Sequence, residues 1–234
     1  MPAEHRLSAG AAGLYGKHPG FGDFISAGLA EAWPAFADWA QASLGLWRDA
    51  AGPDWQARFD AAPVVGFWIG PALIGAGQAL RGVMAPSRDR SGRRFPLALA
   101  QAGGTPPVLD TAQDFHRAAG QALAALLAAD GFEPREAAQA LDLPAPGTPA
   151  PDWPGFWAGN PALPPQQLLG QLAVADHAHA TAARSYWWFG EGEAGPSGVL
   201  CCQGWPTPPS WAGSSPMAPP ARSRHERRPA RLSL

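Results

Sequence analysis

A glycine-rich loop near the start of the chain, Gly16-Lys-His-Pro-Gly-Phe-Gly-Asp-Phe24, has the composition of a phosphate-binding loop but not its spacing. A Walker A loop ends in Gly-Lys-Ser/Thr, whereas Lys17 opens this loop. The dinucleotide-binding pattern requires a third small residue where Ile25 stands. The glycines therefore indicate a tight turn, with Asp23 as an acceptor in the turn or at a helix start. Lys17 is the only lysine of the chain.

Arginines are concentrated farther along the chain. Five fall within fourteen positions, offset only by Asp89: Arg81, Arg88, Arg90, Arg93 and Arg94. Because a guanidinium group matches the geometry of carboxylates and phosphates, one interpretation is a site for an acidic or phosphorylated partner. The alternative is a solvated hairpin tip in which Asp89 pairs with an arginine. The sequence favours neither.

The remaining residues with chemical potential carry weaker signals. His177 and His179 would share one face of a strand and could hold a metal, but no further ligand is signalled, so a surface pair is the preferred interpretation. No Gly-x-Ser-x-Gly motif occurs, and the adjacent Cys201 and Cys202 lie in an apolar segment that predicts inert packing. We therefore expect no catalytic residue, no metal and no cofactor.

Composition limits the class of protein. The 234 residues are 46% hydrophobic and 15% charged, which excludes a wholly disordered chain, while 28 glycines and 27 prolines argue against a helical bundle. The net charge of −2 gives no reason to invoke nucleic acid. The apolar run over residues 61–80 is interrupted by proline and glycine, so it predicts a buried strand and a turn, with a membrane helix as a minor alternative. The absence of a secretory signal in Met1–Gly13 and the unpaired adjacent cysteines predict a cytoplasmic protein without stable membrane insertion.

Hydrophobic periodicity predicts an α/β (α+β) fold, with a mainly antiparallel central sheet flanked by helices. Helices are expected around Leu29–Trp47, over Val108–Ala129 and, briefly, over Pro134–Leu141. Residues 144–165 are too rich in proline for regular structure. The predicted strands are Gly13–Lys17, Val64–Ile69, Gly82–Ala85, Phe95–Ala100, Ser185–Phe189 and Gly198–Gln203. One domain is expected over residues 13–206, between a flexible N-terminus (1–12) and a disordered tail (207–234) rich in Pro, Ser and Arg.

Two long segments occur in a defined order: Gly13-Leu-Tyr-Gly-Lys-His-Pro-Gly-Phe-Gly-Asp-Phe24 and Gly82-Val-Met-Ala-Pro-Ser-Arg-Asp-Arg-Ser-Gly-Arg-Arg-Phe-Pro-Leu97. Both resemble the TagF/ImpM family of bacterial type VI secretion-associated proteins. That family pairs an opening G-x-Y-G-K-x-P-x-x-G-D-F with a later G-V-x-x-P-S-x-D-x-x-G-R-x-F-P-L. Trp187-Trp188 is similar to the family's late tryptophan strand. The resemblance spans about residues 13–206.

The resemblance implies a cytoplasmic, non-enzymatic domain, longin-like or profilin-like in fold, that represses type VI secretion after translation. In that role it would bind an FHA-domain scaffold and oppose the threonine-phosphorylation route that promotes assembly. Residues at or beside the family motif positions become candidates for partner binding: Lys17, Asp23, Ser87, Arg88, Asp89, Arg90, Gly92 and Arg93.

Two other functions stay open. An enzyme would use Lys17 and the arginines to handle a phosphorylated substrate, although the sequence supplies no convincing nucleophile or general base. A structural component of the secretion apparatus would carry the same motifs and would be needed for secretion. The sequence does not predict the oligomeric state.

Overall fold

Seven strands form one antiparallel sheet in the computed structural model, which describes residues 7–110, 112–147, 181–190 and 197–207. Their order across the sheet is β2-β1-β5-β4-β3-β6-β7, and every neighbouring pair is antiparallel. The strands are β1 (Ala12–Gly16), β2 (Ile25–Ala27), β3 (Val65–Ile69), β4 (Leu80–Ala85), β5 (Leu97–Ala102), β6 (Arg184–Gly190) and β7 (Ser197–Gln203). The predicted α+β domain with an antiparallel central sheet is confirmed.

Helices cover both faces of this sheet. Those on one face are α1 (Trp33–Ala51) and the short α3 (Pro71–Ile74), while α4 (Asp114–Ala128) and α5 (Pro134–Gln139) pack on the other. A further helix, α2 (Trp55–Asp60), follows α1. Strands β3, β4 and β5 are buried along their whole length, because helices cover them on both sides. Their burial explains why these segments form nearly continuous apolar runs in the sequence.

Helix α1 packs through large aromatic side chains. Trp33, Phe36 and Trp47 are buried at helical spacing, and the Trp39 ring lies 4.2 Å from that of Trp187 on β6, measured between ring centroids. The helix begins with a proline in its first turn, where the missing N–H is not needed, and it ends at Gly52 with a φ of +66°. The helix predicted around Leu29–Trp47 is therefore confirmed, although it starts at Trp33.

Helix α4 is attached to the sheet by a histidine. His116 Nε2 lies 3.3 Å from the Phe67 carbonyl of β3, and its ring meets the edge of Trp188 on β6. Donation to that carbonyl places the proton on Nε2, which leaves Nδ1 buried without a hydrogen-bond partner in the described part of the chain. Burial, with a smaller contribution from nearby Arg81, lowers the pKa of His116 to about 4 against the opposing effects of the hydrogen bond to Phe67 and of Asp110. The neutral imidazole is therefore the folded form at neutral pH.

The six predicted strands and three predicted helices are present with shifted ends, but three local expectations differ from the structure. The loop after β1 leads into the short strand β2, which pairs with β1, and only then into a helix. Leu7 is buried and its N–H lies 3.3 Å from the Ala76 carbonyl oxygen, so residues 7–12 pack on the sheet in place of the flexible segment expected there. The apolar run over residues 61–80 forms β3, α3 and the start of β4, which corrects the membrane-helix alternative.

Among the described residues, no helix combines the length and apolarity that crossing a membrane requires. Residues 144–147, the described part of the proline-rich segment, form neither helix nor strand. Three predictions lie outside the described residues: the histidine pair His177 and His179, the first six residues of the N-terminus, and the tail from residue 208 onward.

We expect a Gly16→Ala substitution to destabilise the fold strongly. Gly16 ends β1 with a φ of +135°, and an added Cβ would lie 2.0 Å from the Pro96 carbonyl oxygen. The combination of backbone strain and overpacking should lower the free energy of unfolding by about 3 kcal/mol, measured by urea denaturation. Gly22→Ala in the following loop is the matched control, because a Cβ there meets nothing within 4 Å. Equal stability of the two variants would contradict this close approach of β1 to the start of β5.

Candidate functional site

The two sequence motifs end in loops that meet at one end of the sheet. Gly16 at the end of β1 pairs with Ile25 of β2 and with Leu97 of β5. The first motif loop (residues 17–24) and the second motif loop (residues 86–96) therefore leave the sheet side by side. The second loop is folded back on itself by an isolated bridge between Arg88 and Arg94.

A buried ion pair joins the two loops. Lys17 Nζ lies 2.6 Å from Asp89 Oδ2, and neither side chain is more than 6% exposed. The Asp89 carboxylate also accepts hydrogen bonds from the backbone N–H and hydroxyl of Ser91 and from the backbone N–H and Nε of Arg93. Burial raises the pKa of Asp89, but the bonds from Lys17, Ser91 and Arg93 outweigh it and hold that pKa far below its usual range. Asp89 is therefore ionised and fully coordinated by its own protein.

Two arginines of the second loop bind backbone carbonyls of the first. Arg93 Nη2 donates to the Gly22 carbonyl at 2.7 Å, and Arg90 Nη2 donates to that of Gly20. The Arg90 backbone N–H also donates to the Phe21 carbonyl at 2.8 Å. Three consecutive carbonyls of the first loop are therefore hydrogen-bonded to the second loop. Both arginine residues remain exposed at the surface.

The other arginines of the predicted cluster lie elsewhere. Arg94 forms a two-pronged ion pair with Asp60 of α2 at 2.8 and 2.6 Å. Arg88 is exposed, acts electrostatically on the same Asp60 and has no hydrogen-bond partner among the described residues. Arg81 is buried in β4, where it donates to Gln101 and to a backbone carbonyl. The five clustered arginines therefore form three separate groups. Asp89 pairs with an arginine, Arg93, as the hairpin-tip alternative expected, but its side chain is buried and not solvated.

The remaining predicted site residues hold the shapes of the loops. Gly92 adopts a φ of +86° in the turn that closes on Asp89, a conformation that favours glycine. Ser87 is buried, its carbonyl accepts from the Phe95 N–H at 3.1 Å, and its hydroxyl has no partner in the described part of the chain. Asp23 is exposed and accepts from the Phe24 N–H at 2.8 Å, as a turn acceptor before a strand and not before a helix.

His18 is a site residue that the sequence did not single out. Its Nδ1 accepts from the Gly20 N–H at 3.0 Å, so its Nε2 carries the proton and donates to the Leu126 carbonyl of α4 at 2.9 Å. The ring packs edge-on against Phe21 and Phe132 and is fully buried. The sequence signal that could have identified His18 was the proline that follows it, because a proline restricts the backbone of the residue before it.

No group of three or more metal-ligating side chains occurs among the described residues. Cys201 is exposed on β7, contrary to the inert packing expected for it, and Cys202 is half-buried. At the surface, the two loops present the guanidinium groups of Arg90 and Arg93, each bound to a backbone carbonyl of the first loop.

Residues 13–142, which contain both motif loops and the sheet strands that carry them, match the model of the TagF N-terminal domain, described as type VI secretion system-associated. The chain belongs to the TagF family. The resemblance of the two motifs is thereby confirmed, and the protein is type VI secretion-associated.

The fold is also similar to a solved structure. PA0076 from Pseudomonas aeruginosa PAO1, known from a crystal structure, is 26% identical in sequence, with a TM-score of 0.69 over 95% of this chain and 99% of that one. No curated protein matches the chain significantly. In this TagF-family protein the partner-binding role of the eight candidate residues stays a prediction, and the geometry divides them into buried and exposed groups.

We expect Lys17→Met to destabilise the protein markedly. The substitution leaves the buried Asp89 carboxylate without its closest cation, and losing one partner of a buried pair is far more harmful than losing a surface pair. The melting temperature should fall by roughly 10 °C. Arg117→Met is the matched control, because Arg117 pairs with Asp114 at the surface, and it should lower Tm by less than about 3 °C. Similar effects of the two substitutions would contradict a structural role for Lys17.

We expect Asp89→Asn to change how stability depends on pH. Because the folded pKa of Asp89 lies far below the unfolded value, the unfolded chain binds more protons as acid is added. The stabilisation by Asp89 is therefore complete above about pH 4 and is lost as the pH falls through the folded pKa.

The Asp89→Asn protein should be less stable at neutral pH and should lose less Tm than the wild type between about pH 4 and about pH 2. His116 affects stability between pH 6.5, its usual pKa, and about pH 4, its pKa in the folded protein. Over this pH range the change in Tm of the Asp89→Asn protein should match that of the wild type, which provides an internal control. An unchanged slope below about pH 4 would assign the acid sensitivity to other carboxylates.

Proposed function

We propose that this TagF-family protein is a cytoplasmic, non-enzymatic repressor that acts after translation and restrains type VI secretion by binding an FHA-domain scaffold. The observation that carries the proposal is the junction of the two family motifs. Their only lysine and buried aspartate bind each other, and the arginines around that pair fix two loops at the surface. The motifs thus build a rigid recognition surface from one end of the sheet.

The enzyme alternative requires a lysine free to meet a phosphorylated substrate. Lys17 is 5% exposed, and its ammonium lies between the Asp89 carboxylate and the Phe24 ring, 4.8 Å from the ring centroid. A substrate phosphate would have to displace Asp89, which is held by bonds from three residues. These contacts favour a structural task for Lys17 and a contact role for the exposed arginines.

We expect deletion of the gene to increase secretion of type VI substrates into the medium, and overexpression to decrease it. Complementation with the Arg90→Glu variant should fail to restore repression, and the purified variant should bind the FHA-domain scaffold at least about tenfold more weakly. Arg90 suits this test because, in the described part of the chain, the one hydrogen bond of its side chain is to the backbone carbonyl of Gly20.

Arg117→Glu, a charge reversal on α4 away from the motif loops, is the control and should repress and bind normally. Lost secretion on deletion would instead assign the protein to the structural components of the apparatus. Phosphate release from a phosphorylated substrate that disappears in Lys17→Ala would overturn the non-enzymatic assignment.

A further inference from the structure

Phe24, the last residue of the first motif, exposes a large apolar ring beside the motif loops. The residue is 43% exposed, and one side of its ring packs on Tyr15 and Phe95, with centroid distances of 5.8 and 4.8 Å. A single exposed apolar side chain needs no explanation by itself. Phe24 differs from a lone exposed apolar residue because aromatic rings and the Lys17 ammonium contact its ring.

The ring is held in place before any partner arrives. Lys17 Nζ lies 4.8 Å from its centroid and is itself fixed by Asp89, while Asp23 accepts a hydrogen bond from the Phe24 backbone N–H. An aromatic side chain fixed in this way loses little conformational entropy when it enters a pocket. The free protein therefore presents Phe24 in a form ready for binding.

Arginines with unused donors lie on the second motif loop and bind backbone carbonyls of the loop that ends in Phe24. A guanidinium group carries five N–H donors, and the contacts of Arg93 with Asp89 and Gly22 use its Nε and one terminal nitrogen. The Arg93 side chain is 60% exposed, and Arg90 uses one terminal nitrogen on Gly20. Both residues are exposed, and the bonds they make hold each guanidinium group against the loops while other donors stay unused. Aromatic rings beside arginines are the composition found at the centre of protein–protein interfaces.

We propose that Phe24 is the anchor of a docking surface, which Arg90 and Arg93 complete, and that this anchor inserts into an apolar pocket rimmed by carboxylates on a folded protein partner. The inference rests on the proposed function and names the contact residue within it. Carboxylates match the unused guanidinium donors in geometry. The exposed Asp23, which precedes Phe24 in the chain, repels a doubly charged phosphate about twice as strongly as a single carboxylate at the same distance, which favours a carboxylate rim over a phosphopeptide.

The direct test measures binding of the full chain to the FHA-domain scaffold of the same secretion system by calorimetry. Phe24→Ala should raise Kd at least about 30-fold, and Phe24→Leu, which keeps apolar volume, should raise it by less. The matched control is Leu46→Ala on α1, because Leu46 is 50% exposed and lies outside the motif loops; its Kd should stay within about twofold of the wild type. Melting temperatures of all variants separate lost binding from lost folding. An unchanged Kd in a folded Phe24→Ala protein overturns the proposal.

If the scaffold does not bind the wild-type protein at all, that result contradicts the proposed function alone. A second measurement then tests the docking surface directly. A benzophenone amino acid is placed at position 24 in cells that assemble the secretion system, with position 46 as control, and adducts are mapped by mass spectrometry. An adduct from position 24 to an apolar site flanked by Asp or Glu on an identified protein, weakened by Arg93→Gln, supports the docking surface. An adduct to a phosphopeptide or lipid, equal labelling from position 46, or no adduct from position 24 overturns it.

Discussion

The contact between Lys17 and Asp89 determines the geometry of the whole motif end of the sheet. The two residues are 72 positions apart, and their side chains meet at 2.6 Å in a buried environment. A buried ion pair stabilises a fold only when its remaining hydrogen-bonding capacity is filled, because removing both charges from water is unfavourable. Ser91 and Arg93 supply those bonds to Asp89. The pair can therefore form only if the second motif loop takes one particular shape.

That shape explains why the exposed arginines are rigid. Arg93 binds Asp89 through Nε and the Gly22 carbonyl through Nη2. Arg90, from the same loop, binds the Gly20 carbonyl. Each guanidinium thus satisfies a backbone oxygen of the first loop while keeping further donors toward water. Within the first loop, His18 accepts a hydrogen bond from the Gly20 N–H and donates one to the Leu126 carbonyl of α4. The surface is consequently supported by the sheet, by the second loop and by a helix.

The sequence predicted the elements better than their meeting points. Helix α1 and the central strands follow from the spacing of apolar residues, since each pattern is local. Strand β2 has three residues, too few for a pattern to form, and its pairing depends on the contact with β1. The bond of buried Arg81 to Gln101 and the pairing of Lys17 with Asp89 join residues far apart in the chain. The local spacing of apolar residues does not predict such contacts. The motifs located the candidate residues, and only the fold separated buried Asp89 from exposed Arg90.

The use of the chain's single lysine at this position has a steric reason. The Lys17 ammonium occupies a small space between the Asp89 carboxylate and the face of the Phe24 ring, where it attracts both. A guanidinium is planar and larger, and it distributes its charge over a fork. The neighbouring positions around Asp89 are already taken by the Arg93 guanidinium and the Ser91 hydroxyl. A second guanidinium group at position 17 would have to displace Arg93 or Ser91 from Asp89. This position therefore requires the compact ammonium group of lysine, although the other strongly basic residues of the chain are arginines.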